Sequence, residues 1–240
     1  MKFKIEDNLF DSGIIAPKVG NLVLEDCKNV HEGDGKLVRD CAREKKYSLI
    51  TLGIETPVEL DGFEHFGIIQ EIEAKTDNVW KNVCNIPTKF NVRPIGDSDW
   101  EQVKELLYTY PPTRYSKDPN VTFEQVVMHK LSILKHLAKK YPKYAIGAFS
   151  KQDELIGFHF LRLTGADFLF LQELLVKPDY RVGFVSLQLV KENLSAVIND
   201  IGVKCLATRV YEDNNVSRNF FSKLGFLSLK KKEYYYHMWV

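Results

Sequence analysis

Between the apolar run "FLFLQELL" and the helical pattern "LQLVKENLSAVI" lies Val176 to Ser186, "VKPDYRVGFVS". A strand that breaks at a proline, then an arginine and a glycine just ahead of a helix, is the order a phosphate cradle needs. Free N–H groups and the positive end of the helix dipole attract an anion, and absent side chains let it approach. Two positions where glycine is expected hold Phe184 and Ser186. The amides survive that change, and Gly183 supplies flexibility one residue early, so a cradle requires the Phe184 ring to turn outward; the other reading is a plain turn. A second cluster is "YTYPPTRYSKDPN", where Tyr110, Tyr115, Arg114 and Lys117 stand among prolines. Aromatic faces and a guanidinium suit a nucleobase and a diphosphate, and the same segment also reads as a surface loop stiffened by its prolines. His159, in "GFHFLRL", is either a proton acceptor or a satisfied core histidine. His129 and His136, seven apart on one helical face, lack a third ligand, so no metal is expected.

The elements that must position these residues are clearest in the second half. "NVRPIGDSDWEQVKELLYTY" gives a short strand, a capping box of Ser98 with Glu101, and a helix through Val103, Leu106 and Leu107. A proline-rich loop follows. Thr122 with Gln125 then opens a helix carrying Phe123, Val127, Leu131, Leu134 and Leu137 on one face. "YAIGAFS" and "LIGFHFLRL" read as a β-hairpin, "FLFLQELLV" as the next strand, and a helix runs through Leu187, Val190, Leu194, Val197 and Ile198. The strand "VKCLATRVY", a helix from about Asn214 to Leu224 and a final pair of strands in "GFLSLKKKEYYYHMWV" complete it. Strand, helix, strand implies one parallel pairing inside a mixed sheet.

The first half offers "YSLITLGIE" as a strand, "PVELDGFEHFG" as a short helix begun by Pro57, and "IIQEIEAKTD" as a strand. That order matches strand, helix, glycine, strand near the end of the chain, with "LDGFEHFGIIQEIEA" answering "NFFSKLGFLSLKK", and suggests two related lobes. The expected division is 1–88 and 89–240, with "KNVCNIPTKF" as the linker.

Bulk properties exclude several classes. The 240 residues can bury a sizeable core, and 33 Lys and Arg against 32 Asp and Glu leave a net charge of +1, so charge does not draw the chain to nucleic acid or an anionic membrane. "LKKKEYYYHMW" reads as a solvated hairpin tip followed by alternating tyrosines, and no nucleic-acid role is expected. No stretch reaches the ~20 apolar residues of a membrane span, and the start shows no leader pattern, so a cytoplasmic protein is expected. Cys27, Cys41, Cys84 and Cys205 follow neither metal-ligand nor disulfide-scaffold spacing and read as buried thiols.

With "LLVKPDYR", "NNVSRNFFSKLGF" and "RPIGDSDWEQVKELL" in view, roughly residues 90 to 240 resemble a GNAT acyltransferase. The added N-terminal lobe resembles a truncated GNAT unit, an arrangement similar to the TDP-fucosamine acetyltransferase group of nucleotide-sugar N-acyltransferases. The resemblance implies an α/β (α+β) fold with a mixed, mostly antiparallel sheet flanked by helices, and acyl-CoA as co-substrate. It implies coenzyme A contacts from Leu174, Leu175, Val176, Arg181, Val182, Gly183, Phe184, Val185, Ser186, Asn214 and Phe221. The family's loop reads Arg or Gln, two residues, Gly, one residue, Gly or Ala; here Phe184 and Ser186 depart from it. The family's thiolate-protonating tyrosine, four residues before the glycine of the last motif, is here Phe221. The thiolate then leaves unaided, or is protonated by Tyr211 or a water, or there is no turnover. Glu173, where the central strands splay, is the candidate base, or else it faces solvent or pairs with Arg209 or Arg162. The resemblance further implies an acceptor entering beside Tyr110, Arg114 and Tyr115, namely a nucleotide-linked amino sugar. The alternatives are an aminoglycoside or other small amine, and a non-catalytic acyl-CoA-binding module. A homodimer is compatible with all of these.

Overall fold

The structure is a computed structural model that describes residues 2–25, 30–31, 33–165, 168–181 and 184–240, with backbone alone at 228–230. In chain order the elements are β1 (Phe3–Asp7), β2 (Val19–Leu24), α1 (Asp34–Glu44), β3 (Leu49–Ile54), β4 (Glu64–Lys75), α2 (Thr76–Val83), β5 (Asn91–Pro94), α3 (Trp100–Leu107), α4 (Arg114–Lys117), α5 (Phe123–Lys140), β6 (Ala145–Phe149), β7 (Leu155–Leu163), β8 (Phe168–Val176), α6 (Val185–Asp200), β9 (Cys205–Tyr211), α7 (Asn215–Lys223) and β10 (Leu227–Trp239). The strands form one mixed sheet in the order β1-β2-β3-β10-β4-β9-β8-β7-β6-β5. Pairing is antiparallel except at β2–β3 and β8–β9.

Helices cover both faces of the second-half strands. Val103, Leu106 and Leu107 of α3 join Val127, Leu131, Leu134 and Leu137 of α5 on one face, against Phe149, Phe158, Phe160 and Leu175. On the other, Val190, Leu194 and Val197 of α6 pack with Val79 and Val83 of α2 against Leu169, Leu171 and Leu206. The spacing of those leucines and valines at three and four residues is what commits one stripe of each helix to the sheet. Thr122 and Gln125 form the expected capping box, with Thr122 N–H donating to Gln125 Oε1 at 2.8 Å. Phe123, expected on the apolar stripe, is instead 40% exposed, its ring against Tyr108. Ser98 is not a cap; the Asp99 carboxylate accepts the Gly96 N–H at 2.7 Å and binds Arg93 through both oxygens.

The first half differs from the expected repeat. Residues 57–63 form no helix; the chain turns there, with φ of +79° at Gly62, and enters β4 directly. The helix of this region is α1, whose Val38 and Ala42 pack on Ile50, Leu52 and Met238. Gly35 lies so close to Asp61 that an added Cβ would sit 1.9 Å from its carbonyl oxygen. The proline-rich segment is also not all loop, because Thr113 caps α4 by accepting the Ser116 N–H. The expected final hairpin is one strand, β10, irregular between Ser228 and Lys232. It pairs with β3 on one side and β4 on the other, so the lysines expected at a hairpin tip lie along it; Lys231 pairs with Glu55 and Lys232 with Glu212. Cys41, Cys84 and Cys205 are unpaired and half-buried rather than buried; Cys27 lies outside the described residues. No helix among the described residues is long and apolar enough to cross a membrane.

Candidate active site

β8 and β9 run side by side only from Phe168 with Cys205 to Phe170 with Ala207. Thr208 Oγ1 donates to the Leu171 carbonyl at 2.8 Å, a last clasp between the strands before they diverge. Beyond it the facing edge of β8 has no strand partner, and its polar groups can meet an extended ligand. The opening is a cleft of about 420 Å³ lined by strand, loop and helix residues that include Leu174, Leu175, Val176, Arg181, Ser186, Asn214 and Phe221.

A bulge decides what faces this cleft. Leu161 pairs with Leu171 and Phe160 with Glu173, leaving Gln172 as an extra residue on β8. Strand side chains alternate with period two, so one extra residue exchanges the faces beyond it. Leu169 and Leu171 accordingly pack toward α6, whereas Leu175 packs toward α3 and α5, and Glu173 shares that side. Its carboxylate accepts from Tyr110 Oη through Oε1 and from Lys130 Nζ at 2.7 Å through Oε2. Lys130 Nζ also donates to Tyr110 Oη at 3.2 Å and lies 4.7 Å from the centre of that ring. Burial, the largest single effect, lowers the pKa of Lys130, but the charge and hydrogen bond of Glu173 together with Tyr110 outweigh it and raise the net value. Burial and the Glu173 charge both push the Tyr110 hydroxyl up. Glu173 pairs neither with Arg209, which is held by Glu71 and Glu233, nor with Arg162, whose guanidinium lies over Phe170.

Tyr211, at the end of β9, also lines the cleft. Its hydroxyl accepts the Arg114 N–H at 2.9 Å, which leaves its own proton free to donate. Phe221 is buried, edge-on to Phe220 and Phe226.

Part of the expected phosphate cradle lies among the described residues. Among the described residues no side chain caps α6, which leaves its first amides their donor capacity. Phe184 is 42% exposed with Lys89 Nζ 4.9 Å from its ring centre, the outward turn expected of it, and Val185 is buried. Arg181 pins the loop, donating from Nε to the Val176 carbonyl at 2.9 Å and from Nη2 to the Thr109 carbonyl at 3.1 Å. Val182 and Gly183 lie outside the described residues.

Other candidates lie apart from the cleft. His159 is fully buried, Asn193 Nδ2 lies 3.2 Å from its Nδ1, and burial lowers its pKa to about 4; it belongs to the packing of α6 on β7. Tyr115 is buried and its hydroxyl donates to Asp11. The Arg114 guanidinium lies 3.7 Å from Asp11 and is sandwiched by the rings of Tyr115 and Tyr235. Of the acceptor trio, Tyr110 alone reaches the cleft. His129 pairs with Asp11, and the His136 ring meets Phe10; no three metal-ligating side chains cluster among the described residues.

Lys130 is the cleft residue that spacing could have revealed. It stands three after Val127 and four before Leu134, a lysine on the stripe that α5 turns inward.

Residues 100–226 match the Acetyltransferase (GNAT) family. Among solved structures, a functionally unknown conserved protein from Staphylococcus epidermidis ATCC 12228 superposes with a TM-score of 0.66 at 7% identity, over 93% of this chain and 85% of that one. A tandem GNAT protein from the clavulanic acid biosynthesis pathway gives 0.60 at 15% identity, over 92% and 75%. A GCN5-related N-acetyltransferase from Sphaerobacter thermophilus gives 0.59 at 13% identity, over 99% and 76%. Such identities speak for shared fold alone. A search of curated protein sequences returns no match.

Proposed function

We infer the activity from membership: the chain belongs to the acetyltransferase (GNAT) family and is an acyl-CoA-dependent acyltransferase. We propose that its acceptor is a primary amine, attacked upon in a ternary complex, and that the amine belongs to an amino sugar carried on a nucleoside diphosphate. The observation supporting amine acylation is the carboxylate of Glu173 in the wall of a cleft that opens where β8 and β9 part.

In this reaction the amine nitrogen forms a bond to the acyl carbon while the carbon–sulfur bond breaks; a proton leaves the amine and another reaches the sulfur. Glu173 is the group placed to receive the first, because an ammonium cannot attack a carbonyl until it is deprotonated. Tyr211, or a water, supplies the second. Phe221 has no proton to give, and a thiol pKa near 8.5 makes an unassisted thiolate a tolerable leaving group. Phe221→Tyr is therefore expected to leave the steady-state rate unchanged or raise it by less than ~10-fold. Abolished turnover in a folded Phe221→Tyr protein would mean that the ring packs against substrate.

With Arg114 engaged at Asp11, the nucleotide-linked acceptor has only Tyr110 of its expected contacts in the cleft. That packing favours a free amino sugar or another small amine as the second reading. Free thiol can be followed while acyl-CoA thioesters are screened against amino sugars, their nucleotide conjugates and aminoglycosides. A kcat/KM at least ~10-fold higher on a conjugate than on its free sugar, about 1.4 kcal/mol of added recognition, is the expected result. Equal values would transfer the proposal to the small amine. Coenzyme A binding without thiol release from any amine would leave a binding module.

A further inference from the structure

We propose that Lys130 and Tyr110 are positioning residues for Glu173, holding its carboxylate oriented into the cleft for the proton it takes from the amine. The inference rests on the acyltransfer reading above and deepens it.

Each oxygen of Glu173 has one donor, Tyr110 on Oε1 and Lys130 on Oε2. A carboxylate oxygen offers two lone pairs, so each retains one for an incoming N–H or a water. The contact between Lys130 and Tyr110 closes the three groups into a ring, which fixes the plane of the carboxylate. Among the described residues the other charged or titratable groups lining the cleft are Arg181, Arg209 and Tyr211. Arg181 is spent on two backbone carbonyls, Arg209 on Glu71 and Glu233, and Tyr211 takes the Arg114 amide. The cross-strand neighbour of Glu173 on β7 is Phe160, which carries no charge. Lys130 is thus the cation that balances Glu173.

Stability alone is a poor reason for this trio. Ion pairs removed from water contribute little net stabilisation, and apolar residues of similar volume often serve a fold equally well. Here the lysine interrupts an otherwise apolar helical stripe and both partners line the same cleft. Tyr110 is held from behind, since its own N–H donates to the Leu107 carbonyl at 3.0 Å and Arg181 grips the adjacent Thr109 carbonyl. The loop that carries the phosphate cradle and the residue that orients the proton acceptor are therefore one hydrogen bond apart.

The test uses acetyl-CoA with an amine that supports thiol release, and compares kcat and KM of wild type with those of Lys130→Met, Lys130→Arg and Tyr110→Phe. A carboxylate that has lost one of its two holding contacts spends less time in the productive geometry, which costs rate in the chemical step and not cofactor binding. Lys130→Met is expected to lower kcat by ~10-fold or more, with the KM for acetyl-CoA nearly unchanged. Lys130→Arg should restore most of the lost kcat, and Tyr110→Phe should lower it by less than Lys130→Met does. An unchanged kcat in folded Lys130→Met overturns the proposal. Should Lys130→Met not fold, Tyr110→Phe decides alone, and an unchanged kcat there overturns it equally. A readout independent of turnover is the carboxyl carbon resonance of Glu173 at neutral pH, assigned by its loss in Glu173→Gln. Its chemical shift must differ between wild type and the variants, and an unchanged shift overturns the proposal even if no amine is acylated. Absence of thiol release from wild type instead counts against the acyltransfer reading.

Discussion

Glu173→Gln is expected to lower kcat by about 10² or more while leaving the affinity for acetyl-CoA nearly unchanged, because a group that acts on a proton in the chemical step contributes to the transition state and not to cofactor binding. Glutamine keeps the shape of the side chain. Its amide oxygen can still accept from Lys130, and its amide N–H groups can donate to Tyr110 Oη, so the ring of contacts survives with one hydrogen bond reversed. What is lost is the capacity to take a proton from the amine. Single-turnover thiol release measures the chemical step, and calorimetric titration with acetyl-CoA measures binding. A fully active Glu173→Gln protein would assign the proton to water or to the acceptor itself.

The largest expected effect on stability is at Asp118. This buried carboxylate accepts from His237 Nδ1 at 2.7 Å and Trp239 Nε1 at 3.0 Å, and from the Asn120 N–H at 2.9 Å. Burial would raise its pKa, but these donors outweigh burial and hold it below the ordinary carboxylate range. It ties α4 to β10, and removal takes the acceptor from the buried His237 Nδ1 and the half-buried Trp239 Nε1. Leaving a buried hydrogen-bond donor without its acceptor costs about 1 to 3 kcal/mol, so Asp118→Ala should lower the unfolding free energy by roughly 3 kcal/mol in urea titrations. The stabilisation is present at neutral pH, above the unfolded carboxyl's pKa near 3.9, and fades only as the pH falls below that toward the lowered folded value. A change under about 1 kcal/mol would show that the pair is not a clamp.

The second half of the fold was legible because its elements obey their periods. The capping box at Thr122, the leucines of α5 and the apolar runs of β6 and β7 each fix an element locally. The first half was less so. "PVELDGFEHFG" has the apolar spacing of a helix and a proline suited to its start, yet turn residues at 61–62 and pairing with β10 draw residues from Glu64 onward into a strand. Tertiary pairing overrides local preference there. Three consecutive lysines within β10 have the look of a turn in the sequence, whereas Lys231 and Lys232 find carboxylates on flanking segments.

In the site, Glu173, Tyr110, Tyr211 and the 181–186 loop were visible as residue types in suggestive places. The bulge at Gln172 was not, and without it strict alternation puts Glu173 on the same face as Leu171. Arg114 shows the converse difficulty. A guanidinium beside aromatic rings looks like a ligand contact in sequence, and here its partners are the adjacent Tyr115 together with Asp11 and Tyr235, each of the latter two more than a hundred residues away.

The placement of β10 bears on how the chain folds as it is made. β3 and β4 lie close in sequence but do not touch as neighbours in the sheet, because residues 227–239 fill the slot between them. During synthesis the slot stays vacant while roughly 150 further residues emerge, and two hydrophobic strand edges wait with unmet amides and carbonyls. Closure then requires bringing together segments at very large sequence separation, the kind of event that slows folding and lengthens exposure to wrong partners. The nascent first half is thus committed to its layout early but sealed last, and the period before sealing is when a chaperone has most to protect.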